Sequence, residues 1–188
     1  MNNPIFIITN MVINFALIVL FVRFMMQLAE VDSSSPYMKA TKRMTGVVDV
    51  FLRIFPNVGA GRISVAAVVL MLLLYWINTA ANAFILQESI DALTLFFAGT
   101  LKAIIQFMAM LRYIILGSVV VSWAIMLFNV SHPAALLVVQ LSEPIIAPFR
   151  RIMPNLGMLD LSPILALFSL LLAEKFIAII GANILMKL

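Results

Sequence analysis

The chain has 188 residues, 64% hydrophobic and 11% charged, with a mean hydropathy of +1.16 and a net charge of +4. A soluble domain is roughly 45–50% apolar and about 25% charged, so this composition excludes a soluble fold and predicts a polytopic membrane protein. The chain has no cysteine and a single histidine, His132, which excludes disulfides, thiolate metal centres, covalent c-type haem attachment and a bis-histidine haem within one chain; no metal or cofactor is expected.

A spanning helix needs roughly 20 predominantly apolar residues. Residues 5–22 and 63–87 carry no charge, residues 113–142 hold only His132, and residues 161–186 are interrupted only by Glu174 and Lys175. Four spans are predicted, at about 5–28, 62–86, 103–128 and 162–186. The start, MNNPIFIITN, lacks a basic n-region and no A-x-A site follows, so the first helix is expected to stay as a signal anchor. After it, residues 31–62 open with the Ser-rich VDSSSPY. They continue with an apolar stripe at Met44, Val47, Val48, Phe51 and Ile54 or Phe55, the pattern of a helix lying in the interface or capping the bundle. Residues 89–101, SIDALTLFFAGTL, are expected to form an external interfacial helix leading into the third span. The second connector, 129–161, contains Pro133, Pro144, Pro148 and Pro154. Pro144 and Pro148 are expected to break any helix there, leaving a shallow re-entrant hairpin or an interfacial helix-turn-helix. Ser64 and Ser162 stand where N-caps are wanted, the latter before Pro163 at a first helical position. Gly59 and Gly157 follow Pro-Asn pairs and supply turns.

The two connectors are related. Residues 51–64, FLRIFPNVGAGRIS, return 98 positions later as FRRIMPNLGMLDLS, with seven of fourteen positions identical. The chain therefore reads as a duplicated helix–connector–helix: a first, degenerate repeat at 1–88, a linker at 89–101 and a second repeat at 102–188. Two spans per repeat give both the same orientation, related by an axis along the membrane normal. The expected fold is an all-α membrane protein of four transmembrane helices in two parallel repeats. The connectors hold Lys39, Lys42, Arg43, Arg53, Arg62, Arg150 and Arg151, whereas only Lys102 and Lys187 fall on the other side. Basic loops stay in the cytoplasm, so the connectors are expected inside and both termini outside. The basic residues are too dispersed for nucleic acid, and anionic headgroups are the expected surface partner.

The second connector also carries the densest motif. Residues 141–163 read LSEPIIAPFRRIMPNLGMLDLSP. This resembles the YggT family of small bacterial and plastid membrane proteins, whose hallmark runs (E/Q/D)-P-x-x-x-P-x-R-R-x-x-P, then G, then D-x-S-P. Glu143, Pro144, Pro148, Arg150, Arg151, Pro154, Gly157, Asp160, Ser162 and Pro163 match it in order. In the first repeat, Gly46, Val50, Leu52 and Arg62 stand where a proline, a second proline, an arginine and the aspartate are expected. The resemblance implies an integral membrane protein with roles in osmotic or ionic stress resistance in bacteria and in membrane-complex assembly in plastids. It implies no enzymatic reaction.

Read as residues, Glu143 with Arg150 and Arg151 makes either a charged clamp on a partner or ion, or an ion pair that holds the fold and touches headgroups. Asp160 is expected to satisfy the backbone N–H groups at a helix start. Arg62 occupies the matching position in the first repeat and is expected at similar depth, close enough to pair with it. His132 has no orienting acid nearby and reads as a solvated turn residue. Polar residues inside spans include Asn10, Asn14, Asn78, Asn82, Gln106, Ser118, Ser122, Arg112, Glu174 and Lys175. They are bundle glue or a polar pathway. Arg112 lies about 14 Å below one edge of its span and Glu174 about 16 Å above the other at 1.5 Å per residue, so an ion pair between them is expected. The competing arrangement is a protonated Glu174 bonded to Asn78 or Asn82.

No nucleophile–base pair, metal set or phosphate-binding glycine loop is present, so no enzyme is expected. The expected function is interaction, helping to organise or assemble membrane components in a bacterial inner membrane, with a membrane-protein partner and a homo-oligomer left open. The alternative is a channel or transport accessory for ions such as potassium, or for osmolytes. Reporter fusions after Ser34 and after Asn155 should read cytoplasmic, and fusions at Glu88 and the C-terminus external. A cytoplasmic C-terminus would overturn the four-span topology.

Overall fold

The computed structural model describes residues 3–129, 132–152 and 160–187, and these residues form seven α-helices: α1 (Pro4–Leu28), α2 (Pro36–Met44), α3 (Gly46–Phe51), α4 (Val65–Leu86), α5 (Ala92–Phe128), α6 (Pro133–Arg150) and α7 (Ser162–Leu185). Among the described residues, α1, α4, α5 and α7 are the four helices long and apolar enough to cross a membrane. Side chains such as Ile8, Met11, Phe15, Phe84 and Phe176 stand exposed along them, as lipid-facing positions must.

The helix starts follow local chemistry. Asn3 caps α1 by accepting the Ile5 N–H at 3.0 Å, with Pro4 at the first helical position, where its missing N–H costs no bond. Ser35 does the same for α2 through the Met38 N–H, and Ser64 caps α4 through the Ala67 N–H, as its sequence position predicts. Asp91 accepts from the Leu93 and Thr94 N–H groups at the start of α5. Before α4 the chain reverses in a tight turn, where Val58 and Ile63 exchange backbone bonds of 3.0 and 3.1 Å. Gly59 and Gly61 lie there at φ +64° and +87°, a region open to glycine at little cost. Gly157 lies outside the described residues.

Three expectations about the connecting segments need correction. The stretch 89–101 does not form a helix of its own: from Ala92 it is continuous with the third span in the 37-residue α5. It contains no proline, and its one glycine is tolerated inside a helix. At 1.5 Å per residue α5 is about 56 Å long, well beyond a hydrocarbon core of about 30 Å. The amphipathic stretch of connector one is split into α2 and α3 at Thr45, whose φ of −118° and ψ of 34° leave the helical region. Its apolar stripe is divided as a result, with Val48 fully buried but Met44, Val47 and Ile54 exposed. Pro144 and Pro148 lie inside α6 and do not end it. Each proline removes one i→i−4 bond, and the bonds on either side carry the helix through.

The chain divides into two compact units, residues 1–106 with 177–188, and residues 107–176. These are divisions of packing, separate from the repeats read in the sequence. In the first unit α1 packs along α4, α2 rests on α1 and α3 on α4. Leu17, Phe21, Met25 and Met26 of α1 and Ala66, Ala67, Met71 and Tyr75 of α4 are buried. Lipid tails are as apolar as leucine, so close packing and polar contacts hold such helices together. In the second unit Ile115 of α5, Ile146 of α6 and Ala166 of α7 form the buried centre, with Phe149 and Leu170 against it.

Small residues mark the closest approaches. A Cβ on Gly99 would lie 2.5 Å from Cδ1 of Trp76 and 3.3 Å from its Cα. That indole is held in place by a 3.0 Å bond from Nε1 to Oγ1 of Thr100 and by the Phe96 ring, 5.0 Å away. A Cβ on Gly117 meets only a methyl of Val138 at 3.7 Å. Gly99→Ala should therefore destabilise by about 1–3 kcal/mol through overpacking. Gly117→Ala, which gains about 1 kcal/mol of helix propensity, should be neutral or stabilising. Thermal unfolding of the two variants in detergent separates these outcomes.

Candidate functional site

The motif charges gather at the junction of α6 and α7, within the second unit. Glu143 and Arg150 are seven residues apart on α6, two turns along one face, and Nη1 of Arg150 donates to Oε1 of Glu143 at 2.6 Å. Nε of the same guanidinium donates to Oδ2 of Asp160 at 3.1 Å. The other oxygen of Asp160 accepts the backbone N–H of Ser162 at 2.9 Å, so Asp160 satisfies the start of α7 and also fastens it to the end of α6. Both placements suit the helix dipoles, cation at a C-terminus and anion at an N-terminus.

Arg150 and Asp160 hold each other in their ionised forms. Burial opposes charge on Arg150, but Glu143 and Asp160 outweigh it and raise the guanidinium above its ordinary value. Burial likewise opposes ionisation of Asp160, but the bonds from Ser162 and the Arg150 charge pull its carboxyl below the usual carboxylate range. A depressed carboxyl stabilises the fold above its unfolded pKa and loses that contribution as pH falls through the folded one. The clamp therefore persists through neutral pH and releases only in acid.

Beside the clamp lies an open cavity of about 530 Å³ between α5, α6 and the start of α7. Glu143, Arg150 and Asp160 line it together with Ser118, Ser122 and Ser142. Oγ of Ser118 donates to the Ile115 carbonyl and that of Ser142 to the Val139 carbonyl, each at 2.8 Å. Of the other motif residues, Pro163 lines the cavity, Ser162 is buried behind Asp160, Pro144 is half-buried, and Pro148 and Arg151 are exposed. Pro154 and Gly157 lie outside the described residues. His132 caps α6, Nδ1 accepting the Ala134 N–H at 3.2 Å. No cluster of three metal-ligating side chains occurs among the described residues.

Deeper in the second unit, Nη2 of Arg112 lies 2.9 Å from Oε2 of Glu174, with both side chains largely buried. The contact is short but not aligned as a hydrogen bond, so Nε of Arg112 and Oε2 of Glu174 are buried without a hydrogen-bond partner among the described residues. Asn78 and Asn82 are engaged elsewhere. In the first unit Asn10 and Asn82 exchange amide bonds of 2.8 and 3.2 Å, Asn78 donates to Asn10 at 2.9 Å, and Lys102 donates to Oδ1 of Asn78. Asn14, Gln106 and Lys175 face outward.

The expected pairing of Arg62 with Asp160 is replaced by separate partners. Arg62 pairs with Glu30, and Asp160 with Arg150. Two networks went unread in the sequence. Buried Arg23 on α1 donates to the carbonyl and hydroxyl of Thr45, each at 2.8 Å, and to Asp49. The signal was an arginine inside a span with an acid in the next connector. The second is the Lys102–Asn78 bond, which joins a residue assigned to the outer side to the amide cluster.

Four apolar spanning helices and a charge cluster at one helix junction define a multi-pass, all-helical membrane protein. A family model described as CCB3/YggT matches residues 97–181, the stretch containing Arg112, Glu143, Arg150, Asp160 and Glu174. An uncharacterized protein of Haemophilus influenzae is 30% identical over 167 residues, 88% of this chain and 86% of its own. The uncharacterized protein PA0392 of Pseudomonas aeruginosa is 29% identical over 164 residues, 86% and 81% of the two chains. The chain belongs to the CCB3/YggT family. No solved structure matches it.

Removing one partner of a buried ion pair leaves the other charge uncompensated, at about 3–5 kcal/mol. Arg112→Glu and Glu174→Arg should each reduce folded yield in detergent severely, and the double swap should recover part of it. A double mutant as poor as the two single losses combined would show that the 2.9 Å contact carries no coupling.

Proposed function

We propose that this is a non-enzymatic protein of the bacterial inner membrane that acts by interaction, organising or assembling other membrane components, and that its contribution to osmotic or ionic stress resistance follows from that role. The connectors, with their basic residues, face the cytoplasm on this reading. The observation that supports it is how the polar groups at membrane depth are used. Asn10, Asn78, Asn82 and Lys102 bond one another, and Arg112 meets Glu174. A conduction path needs polar groups that face water in sequence along the membrane normal, and groups engaged pairwise inside a bundle do not supply one. Glu143 and Asp160 both pair with Arg150 across a helix junction, an arrangement that positions a surface and activates no nucleophile. The alternative, a channel or transport accessory for potassium or osmolytes, draws on the same residues and predicts flux.

Crosslinking in native membranes should yield a discrete membrane-protein partner, while purified protein in proteoliposomes should pass no potassium above the empty-vesicle rate. Arg150→Ala combined with Arg151→Ala should abolish the crosslink and impair growth under osmotic stress, with the protein still inserted. Arg53→Ala in the degenerate copy should do less. Potassium flux from wild-type protein would replace the interaction reading with the transport one. Equal loss from both changes, or failed insertion, would assign the arginines to topology.

A further inference from the structure

We propose that the cavity beside α7 holds one phospholipid with a phosphoethanolamine headgroup, its phosphate on Arg150 and its ammonium between Glu143 and Asp160. The charges alternate in space: one guanidinium stands between two carboxylates, 2.6 Å from one and 3.1 Å from the other. The two ion pairs use Nη1 and Nε of Arg150. Nη2 is left among the described residues to donate to an anionic oxygen, and guanidinium–phosphate bonds are among the strongest polar contacts. An ammonium placed beside that phosphate brings three donors to two carboxylates, which are acceptors only. A zwitterion with adjacent phosphate and ammonium meets both demands.

The rest of the cavity suits a lipid. Trp123, Met126 and Leu127, near the end of α5, line it and are 62%, 72% and 65% exposed. Large apolar side chains so exposed on a spanning helix are positioned for acyl chains, and tryptophan favours headgroup depth. Ser122 lines the same wall and adds a hydroxyl to it. The volume of about 530 Å³ accommodates a headgroup, glycerol and the upper chain segments, and lies within the ordinary range for ligand sites.

The same charges argue against other headgroups. Glu143, Arg150 and Asp160 sum to −1, so an anionic phosphatidylglycerol would bring a second uncompensated negative charge. A phosphocholine carries a matching phosphate but no N–H, so its cation cannot donate to either carboxylate. Discrimination should therefore lie in the ammonium donors. The proposal does not rest on the interaction reading above, because a lipid site is compatible with either function.

The test is native mass spectrometry of the full-length protein released from detergent after incubation with phosphatidylethanolamine, phosphatidylcholine and phosphatidylglycerol of identical chains. One phosphatidylethanolamine should be retained about tenfold more tightly than the other two, and Glu143→Gln should remove that preference, as expected for loss of one charged hydrogen bond. Ser122→Trp, which fills the cavity and leaves the clamp intact, should abolish the retained lipid without lowering Tm, and it decides the matter if Glu143→Gln fails to fold. Equal retention of the three lipids, preference for phosphatidylglycerol, or an adduct surviving Ser122→Trp would overturn the proposal. A photo-crosslinker replacing Trp123 should capture lipid; capture of a protein segment there would assign the cavity to a partner helix instead.

Discussion

Hydrocarbon offers a polar side chain no partner, and the arrangement of this protein follows from how each polar group at membrane depth meets that constraint. An unsatisfied amide or charge in lipid costs several kcal/mol, comparable to the entire stability of a small domain. Asn10 of α1 therefore faces Asn78 and Asn82 of α4, and their amide bonds set the register of those two helices. Apolar contact alone would not, since leucine against leucine is no better than leucine against a lipid tail. A one-turn slide of α1 would keep much of its greasy contact and lose all three bonds from Asn10 to α4.

The two arginines inside spans show the constraint met to different degrees. Arg23 is buried, with three acceptors around its guanidinium: the Thr45 carbonyl, the Thr45 hydroxyl and Asp49. Arg112 has one close acid, and a buried nitrogen and carboxylate oxygen left without hydrogen bonds. The first is a finished fastening, which holds the break between α2 and α3 against α1. The second has charge balance without directional satisfaction, so its attraction fixes distance more than orientation.

What was legible in the sequence divides along the same line. Spans, caps and the pairing of Arg112 with Glu174 depend on local composition, on one or two residues at a helix start, or on depth along a known axis, and each can be read from residue numbers. The gathering of Glu143 with Arg150 depends on a seven-residue spacing along one helix, also a sequence quantity. Connections that depend on azimuth, the direction in which a helix turns its face, were not legible. Arg23 reaches a connector 22 to 26 residues away, and nothing in the spacing points there. Pro144 and Pro148 read as breakers because each removes a bond, but four residues apart they stack on one face of α6 and concentrate the missing donors there. The stretch 89–101 read as separate because it precedes a charge-free run, whereas helix continuity depends on the absence of a stop signal, and none follows Asp91.

The likeness of residues 51–64 to residues 149–162 marks two copies of one sequence pattern, and the charges beside each copy are fastened differently. In the second copy the guanidinium belongs to the connector: Arg150 reaches Glu143 on its own helix and Asp160 at the start of α7. In the first copy the guanidinium comes from the span itself, as Arg23 reaches into the break at Thr45 and on to Asp49. In the sequence pattern, Leu52 and Arg62 stand where Arg150 and Asp160 stand 98 residues later. Arg62 then takes a different neighbour, Glu30, at the exposed mouth of the turn. Arg150 thus meets Asp160 at the start of α7 and also lines the open cavity beside it.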